Sequence, residues 1–225
     1  MSSPDAPAAG VYPKDFEEAE RRHARHFARY LLALPYARGA VAVDAACGSG
    51  YGSAWLAQVA ESVLGLDIDE QRLAWARQHH QPANVRYALH DLHKPLPVER
   101  PLTLVTSFET LEHVDAPPVC LKNLADALAD DGVALISVPN GTMELRGGQP
   151  KPYHRWQFSS ADFEKLLRGC FADVHPHAQV YGGGLGHYLA KWLRGQKRQA
   201  RAYRFLPGLR DDAKTWLAVC RAPKR

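Results

Sequence analysis

"VDAACGSGYG", residues 43–52, carries three glycines, a cysteine and an acid within ten positions, between an apolar run and a stretch patterned as a helix. A glycine-rich turn between a buried strand and a helix is where α/β sheets cradle nucleotides, because helix-terminal amides point outward there. The dinucleotide fingerprint GxGxxG would need glycine at position 53, which is Ser53; Gly48, Gly50 and Gly52 follow a GxGxG spacing instead. Asp44 stands just ahead of them. A carboxylate this close repels phosphate and attracts a cation. The turn therefore fits a ligand that bears an ammonium group and no phosphate beside it.

Outward from the turn, strands and helices alternate. "AVAVDAAC" (40–47), "SVLGLDI" (62–68), "VRYALHD" (85–91), "LTLVTSFE" (102–109) and "GVALISVPN" (132–140) are short apolar runs suited to buried strands, and helical segments separate most of them. Helices are expected from Tyr51 to Ala60, over "DEQRLAWARQHH", from Asp115 through the proline pair, and over "SSADFEKLLRGC". "ADVHPHAQV" and "KTWLAVCR" are the last two strand candidates. Residues 14–34 space Phe16, Ala19, His23, Phe27, Tyr30, Leu31 and Leu34 at helical intervals, with Pro35 as the expected stop. This pattern predicts a mostly parallel sheet with helices on both faces and a ligand at the carboxyl ends of its strands. Residues 13–225 read as one domain, preceded by a disordered tail over 1–12.

The polar residues ending the strands then matter most. Asp67 ends the second strand, 23 residues after Asp44, where an acid binds ribose hydroxyls. Asp91-Leu92 ends the third, where a carboxylate accepts from an adenine amino group. Glycines with acids at three successive strand ends describe an amino-acid-bearing nucleoside.

In the order "VDAACGSGYG", "VLGLDIDEQRLAWAR", "HDL", "FETLEHV" and "GVALISVPN", from about Val41 to Asn140, the chain resembles the class I S-adenosylmethionine-dependent methyltransferases. The resemblance implies a Rossmann-like sheet of seven strands, the last antiparallel, and S-adenosyl-L-methionine as cofactor. It places Asp44, Ala46 and Gly48 against the methionine portion, with Gly50 admitting close backbone approach. Asp67 takes the ribose and Ile68 lies against the adenine. Asp91 and Leu92 meet the adenine edge, and Ser107 or Phe108 the amino group. Ala45-Ala46 departs from the family, which more usually has a bulkier first residue.

The sulfonium is an activated donor, so transfer needs positioning and, for a hydroxyl or amine acceptor, removal of a proton. Histidine suits that task. His113, after the fourth strand, and His154, in the loop after the fifth, are the catalytic candidates, with Glu109 and Glu112 as orienting acids. His23 and His26 are weaker candidates on a helix that serves as a lid, where Tyr12 and Tyr30 would close over the cofactor. No metal is expected, because no HExxH-like spacing occurs and the acids are assigned to the cofactor. "PNGTMELRGGQPKPYHRWQFSSADFEKLL" resembles the members of this superfamily taken to methylate sugars, with Gln157 where an acid is usual. That resemblance implies O-methylation of a sugar, glycan or other small molecule, in polysaccharide biosynthesis.

Charge is unevenly spread. Residues 191–225 hold eleven Lys/Arg and two acids, whereas the rest is net negative within a total of +4. A basic insertion over 182–213, with an amphipathic helix at 186–206, is suited to a phosphate-bearing acceptor, an anionic membrane surface or RNA. An RNA or DNA methyltransferase is thus an alternative, as is a non-catalytic adenosylmethionine-binding partner protein. Cys47, Cys120, Cys170 and Cys220 form no CxxC pair and read as reduced thiols; with no secretory pattern and no span-length apolar run, the expected location is cytoplasmic, peripheral to the inner face of a membrane if the basic segment binds lipid.

Overall fold

The computed structural model describes residues 14–142, 152–182 and 200–224. The first strand, β1 (Val41–Ala45), is almost wholly buried and lies between β2 (Ser62–Asp67) and β4 (Leu102–Phe108), parallel to both. β3 (Val85–Leu89) extends the sheet beyond β2, and β5 (Leu128–Pro139) runs parallel beside β4. Then come β8 (Thr215–Pro223), β6 (Phe171–Tyr181) and β7 (Tyr203–Pro207), each antiparallel to its neighbour. The order is β3-β2-β1-β4-β5-β8-β6-β7. Strand order reverses at β1, so the crevice where helices diverge opens at the carboxyl ends of β1 and β4. The glycine turn stands at that point.

Alternation along the strands sorts two cores. Val43, Ala45, Val105, Ile136 and Val138 face α4 (Pro117–Asp126) and α5 (Ser160–Cys170). Ala42, Leu104, Phe108, Leu135 and Leu217 face α1 (Phe16–Ala37) and α2 (Tyr51–Leu56). By the same two-residue period, Asp44 and Thr106 belong to the α1 face. α3 (Glu70–His79) follows β2, capped by the Asp69 side chain on the amides of Gln71 and Arg72. Burial on both faces explains why these strands read as continuous apolar runs.

Three expectations need correction. The described sheet has eight strands, not seven: residues 203–207, expected at the end of a basic helix, form β7 on the outer edge of β6, pairing Tyr203 with Tyr181 and Pro207 with His177. Tyr203 and Phe205 pack on the α1 core while Arg204 points outward, a period-two pattern that satisfies an open sheet edge. Of the rest of the expected helix, Ala200–Ala202 forms a single 3-10 turn and 186–199 lies outside the described residues, as does the tail over 1–12. Pro35 does not stop α1; the helix continues to Ala37, because only one backbone bond is lost near its end and Ala33 and Ala37 are fully buried. The helix is instead interrupted at His23, whose backbone (φ −126°, ψ 34°) marks a kink. Finally, α2 ends at Leu56, four residues short of the expected Ala60.

Candidate active site

The turn is assembled around Asp44. This carboxylate is buried and accepts hydrogen bonds from Ser53 Oγ (2.7 Å), Thr106 Oγ1 (2.8 Å) and the Tyr30 hydroxyl (3.2 Å to each oxygen). One side chain thus joins α2, β4 and α1 beneath the glycines. Burial raises its pKa to about 6, with the three hydroxyls opposing that rise. Ala46 follows with φ 60°, a left-handed conformation that strains a residue with a Cβ, and Gly48 and Gly50 adopt φ 58° and 83° without that strain. A Cβ at Gly50 would stand 2.5 Å from the Ala76 Cβ and 2.8 Å from the Tyr87 hydroxyl. At Gly52 it would overlap the Tyr30 ring, so this glycine makes room for the tyrosine that reaches Asp44.

Asp67 ends β2 beside the turn. Its Oδ2 accepts from the Gly48 amide at 2.7 Å and its Oδ1 from the Asp69 amide at 2.9 Å, and burial pushes its pKa up. Each oxygen retains lone-pair capacity for a ligand hydroxyl. Ile68, next along, is 71% exposed, an apolar side chain presented at the place where an adenine face is expected. At the end of β3, Asp91 accepts from the His93 amide at 3.0 Å and lies 2.7 Å from His93 Nδ1; these bonds hold its pKa low. Leu92 is buried beneath it. Ser107 and Phe108 end β4 on opposite faces. Phe108 meets the Tyr30 ring edge-on at 5.0 Å, whereas Ser107 Oγ is buried without a hydrogen-bond partner among the described residues. The residues expected to bind the cofactor therefore converge on the carboxyl ends of β1 to β4.

A second cluster occupies the loop after β4. The Glu112 carbonyl accepts from the amides of Arg155 (2.8 Å) and Trp156 (3.2 Å), Trp156 Nε1 donates to the Val114 carbonyl (2.9 Å), and Arg155 pairs with Asp115. These bonds tie residues 153–156 to 112–115. They bring His154, which is buried, to 4.9 Å from His113, ring centroid to centroid and edge-on. His113 Nδ1 lies 3.0 Å from the Tyr153 carbonyl, so this nitrogen carries the proton and donates. Its Nε2 is 3.7 Å from Glu112 Oε1, and burial lowers its pKa, favouring the neutral ring. One ligand atom from each of Glu112, His113 and His154 lies within 4.8 Å of the others. The two halves of this cluster are some forty residues apart in sequence, and only the fold joins them.

Arg29 and His26 add two more buried groups from α1. Arg29 pairs with Glu109 Oε1 at 3.3 Å, and donates to Gln179 Oε1 at 3.0 Å and Thr215 Oγ1 at 3.5 Å. Glu109 follows β4 with φ 56°, so strained backbone stands at the ends of both central strands. Arg29 was not foreseen; its only signal is its place four residues before buried Ala33. His26 Nδ1 lies 2.6 Å from the Tyr51 hydroxyl, among Tyr30 and Phe108, and burial holds its pKa well down. Tyr12 lies outside the described residues.

A protein of Mycolicibacterium smegmatis named a probable S-adenosylmethionine-dependent methyltransferase is 29% identical over 171 residues, covering 74% of this chain and 65% of the relative. The mitochondrial ubiquinone biosynthesis O-methyltransferase of Arabidopsis thaliana is 26% identical over 186 residues, covering 75% of this chain and 57% of the relative. The chain thus spans under two thirds of the length of these relatives. A crystal structure of an S-adenosylmethionine-dependent methyltransferase from Mesorhizobium loti shares the fold with a TM-score of 0.65 at 18% identity, over 88% of this chain and 99% of that one. A family model described as a methyltransferase domain (Methyltransf_23) matches residues 16–177, and the chain belongs to that family of class I S-adenosylmethionine-dependent methyltransferases.

Proposed function

We propose that this chain methylates a hydroxyl of a sugar, glycan or other small acceptor, with S-adenosylmethionine as donor. The observation that carries this reading is the His113–His154 pair, which the fold brings together in the loop that follows β4. In the transfer, the acceptor oxygen forms a bond to the methyl carbon as the carbon–sulfur bond breaks. Sulfur keeps the electron pair and becomes a neutral thioether, while the hydroxyl proton leaves to a base. A neutral imidazole here suits that role. Asp44, Asp67 and Asp91 order the donor; the largely buried rings of His26, Tyr30, Tyr51 and Phe108, packed on one another beside the glycine turn, leave little room for water there.

The relative named as a ubiquinone biosynthesis O-methyltransferase supports oxygen as the acceptor atom. The basic residues after 191 support an acceptor that carries phosphate, and a cytoplasmic protein that lies against an anionic membrane. The test is transfer of labelled methyl to nucleotide sugars, lipid-linked glycans and polyhydroxylated small molecules, with RNA as the competing acceptor. Label on RNA alone would overturn the reading. His154→Ala is expected to lower turnover more than donor affinity; equal losses would assign it a structural role.

A further inference from the structure

A carboxylate and two imidazoles that converge on one partly closed point form a donor set suited to a divalent ion. Glu112 is fully buried, His154 is 8% exposed, and His113 forms the outer wall with 39% of its side chain exposed. Two segments far apart in sequence are held together by the Glu112 carbonyl, the Trp156 indole and the Arg155–Asp115 pair, so the three side chains are positioned before anything binds. The orientation of His113 adds an independent point. Its Nδ1–H is engaged by a backbone carbonyl, which leaves Nε2 with its lone pair directed at the cluster. Metal-ligating histidines are oriented in this way, by giving their other ring proton to a carbonyl or carboxylate.

From this arrangement we infer that Glu112, His113 and His154 form a divalent transition-metal site that also receives the acceptor hydroxyl. This inference rests on the O-methylation reading for its acceptor and on geometry alone for the ion. Ligand atoms about 2.1 Å from one ion stand roughly 3–4 Å apart; the three atoms here lie within 4.8 Å, and the half-exposed His113 ring supplies the remaining adjustment. Two nitrogens and one carboxylate suit Mn²⁺, Fe²⁺, Co²⁺ or Zn²⁺ better than Ca²⁺ or Mg²⁺, which prefer all-oxygen shells. Three protein ligands leave coordination positions open, and adjacent open positions accept two neighbouring oxygens of a vicinal diol. Glu109 adds negative charge from the same loop, and its pairing with Arg29 keeps it from competing as a free carboxylate.

The ion changes the proton's route. An acceptor hydroxyl held by a divalent ion is more acidic, so it releases its proton to water rather than to a histidine, and the oxygen then attacks the methyl carbon as before. His113 and His154 would hold the ion instead of the proton.

The experiment begins with the full chain stripped by a chelator and then titrated with Co²⁺, followed by its visible ligand-field spectrum and by calorimetry. One ion per chain is expected, with affinity that falls below the histidine pKa range because protonated imidazole cannot ligate. Glu112→Gln, His113→Ala and His154→Ala should each weaken Co²⁺ more than about tenfold while S-adenosylhomocysteine affinity, which reports an intact fold, stays unchanged. Absence of Co²⁺ binding by the wild type, or variants that bind it equally well, overturns the site and leaves the O-methylation reading standing. Stoichiometric Co²⁺ binding lost in all three variants supports the site, even if no hydroxyl acceptor is ever methylated; that last result would sink only the function.

Discussion

Tyr30 on α1 donates its hydroxyl to Asp44 at the end of β1, 3.2 Å from each carboxylate oxygen, so α1 is fastened to the residue beneath the glycine turn. Both groups are buried. Removing the hydroxyl leaves Asp44 with two donors in place of three. The distances are long for a charge-assisted bond, so Tyr30→Phe should cost about 1–1.5 kcal/mol of stability and weaken donor binding several-fold. Denaturant unfolding and donor calorimetry measure both; a variant unchanged in each would make the contact incidental.

Asp44 also sets a pH dependence of unusual sign. Most native aspartates have lowered pKa values and stabilise as pH rises. Asp44 is raised from 3.8 to about 6 by burial, so the native state holds its proton more tightly than the unfolded chain does. Stability from this group is greatest below the unfolded pKa and falls by about 3 kcal/mol as pH rises through 4 to 6. Asp44→Asn cannot titrate. The stability of this variant relative to wild type should therefore climb across that window, as read from chemical denaturation at several pH values. A constant difference would refute the assignment.

Gly50 is the turn residue least able to accept a side chain. Its φ of 83° strains any L-residue, and a Cβ would press on Ala76 and Tyr87. Tyr87 in turn lies 3.0 Å from the Gly50 carbonyl through its hydroxyl, so displacement would travel to β3. Gly50→Ala should destabilise by about 2–3 kcal/mol and abolish detectable donor binding. Gly48→Ala, with a similar φ but open space, should cost less. Equal losses in the two variants would show that backbone strain alone, not the close approach, decides the matter.

The glycine turn, the acids at the first three strand ends and the five parallel strands were legible because each depends on a short local pattern: a buried apolar run, a turn, a polar end. What stayed hidden depends on pairing across distance. β7 is only five residues long and carries arginine between aromatics, and becomes a strand because β6 offers an edge. His113 and His154 stood out singly, but their meeting with Glu112 needed the backbone bonds from Arg155 and Trp156. Pro35 looked like a stop because local chemistry says so, and burial of Ala33 and Ala37 outweighed one missing bond.

Asp67 joins the turn to β2 and is expected to receive ribose hydroxyls. Its carboxylate already holds the Gly48 and Asp69 amides, so substitution disturbs the cradle as well as the ligand contact. Asp67→Asn keeps one acceptor oxygen but places an amide NH₂ against a backbone N–H. Donor affinity should fall at least about tenfold, corresponding to roughly 1.4 kcal/mol. Unchanged affinity by calorimetry would remove Asp67 from the site.

Arg29 tests whether the strained end of β4 is held by charge. It pairs with Glu109 at 3.3 Å, while Gln179 and Thr215 fix its position from β6 and β8. Burial lowers its pKa, and the Glu109 carboxylate opposes that shift. Arg29→Met keeps much of the volume but leaves Glu109 without its counter-charge, at a cost of about 3 kcal/mol. Glu109→Gln alone should cost less, since Glu109 is partly exposed and Arg29 keeps its two neutral acceptors. Because a neutral amide in place of the carboxylate no longer needs a cation, the double variant should be more stable than the sum of the two single losses predicts. Strict additivity in thermal or denaturant unfolding would show that the pair contributes nothing beyond the separate environments of its members.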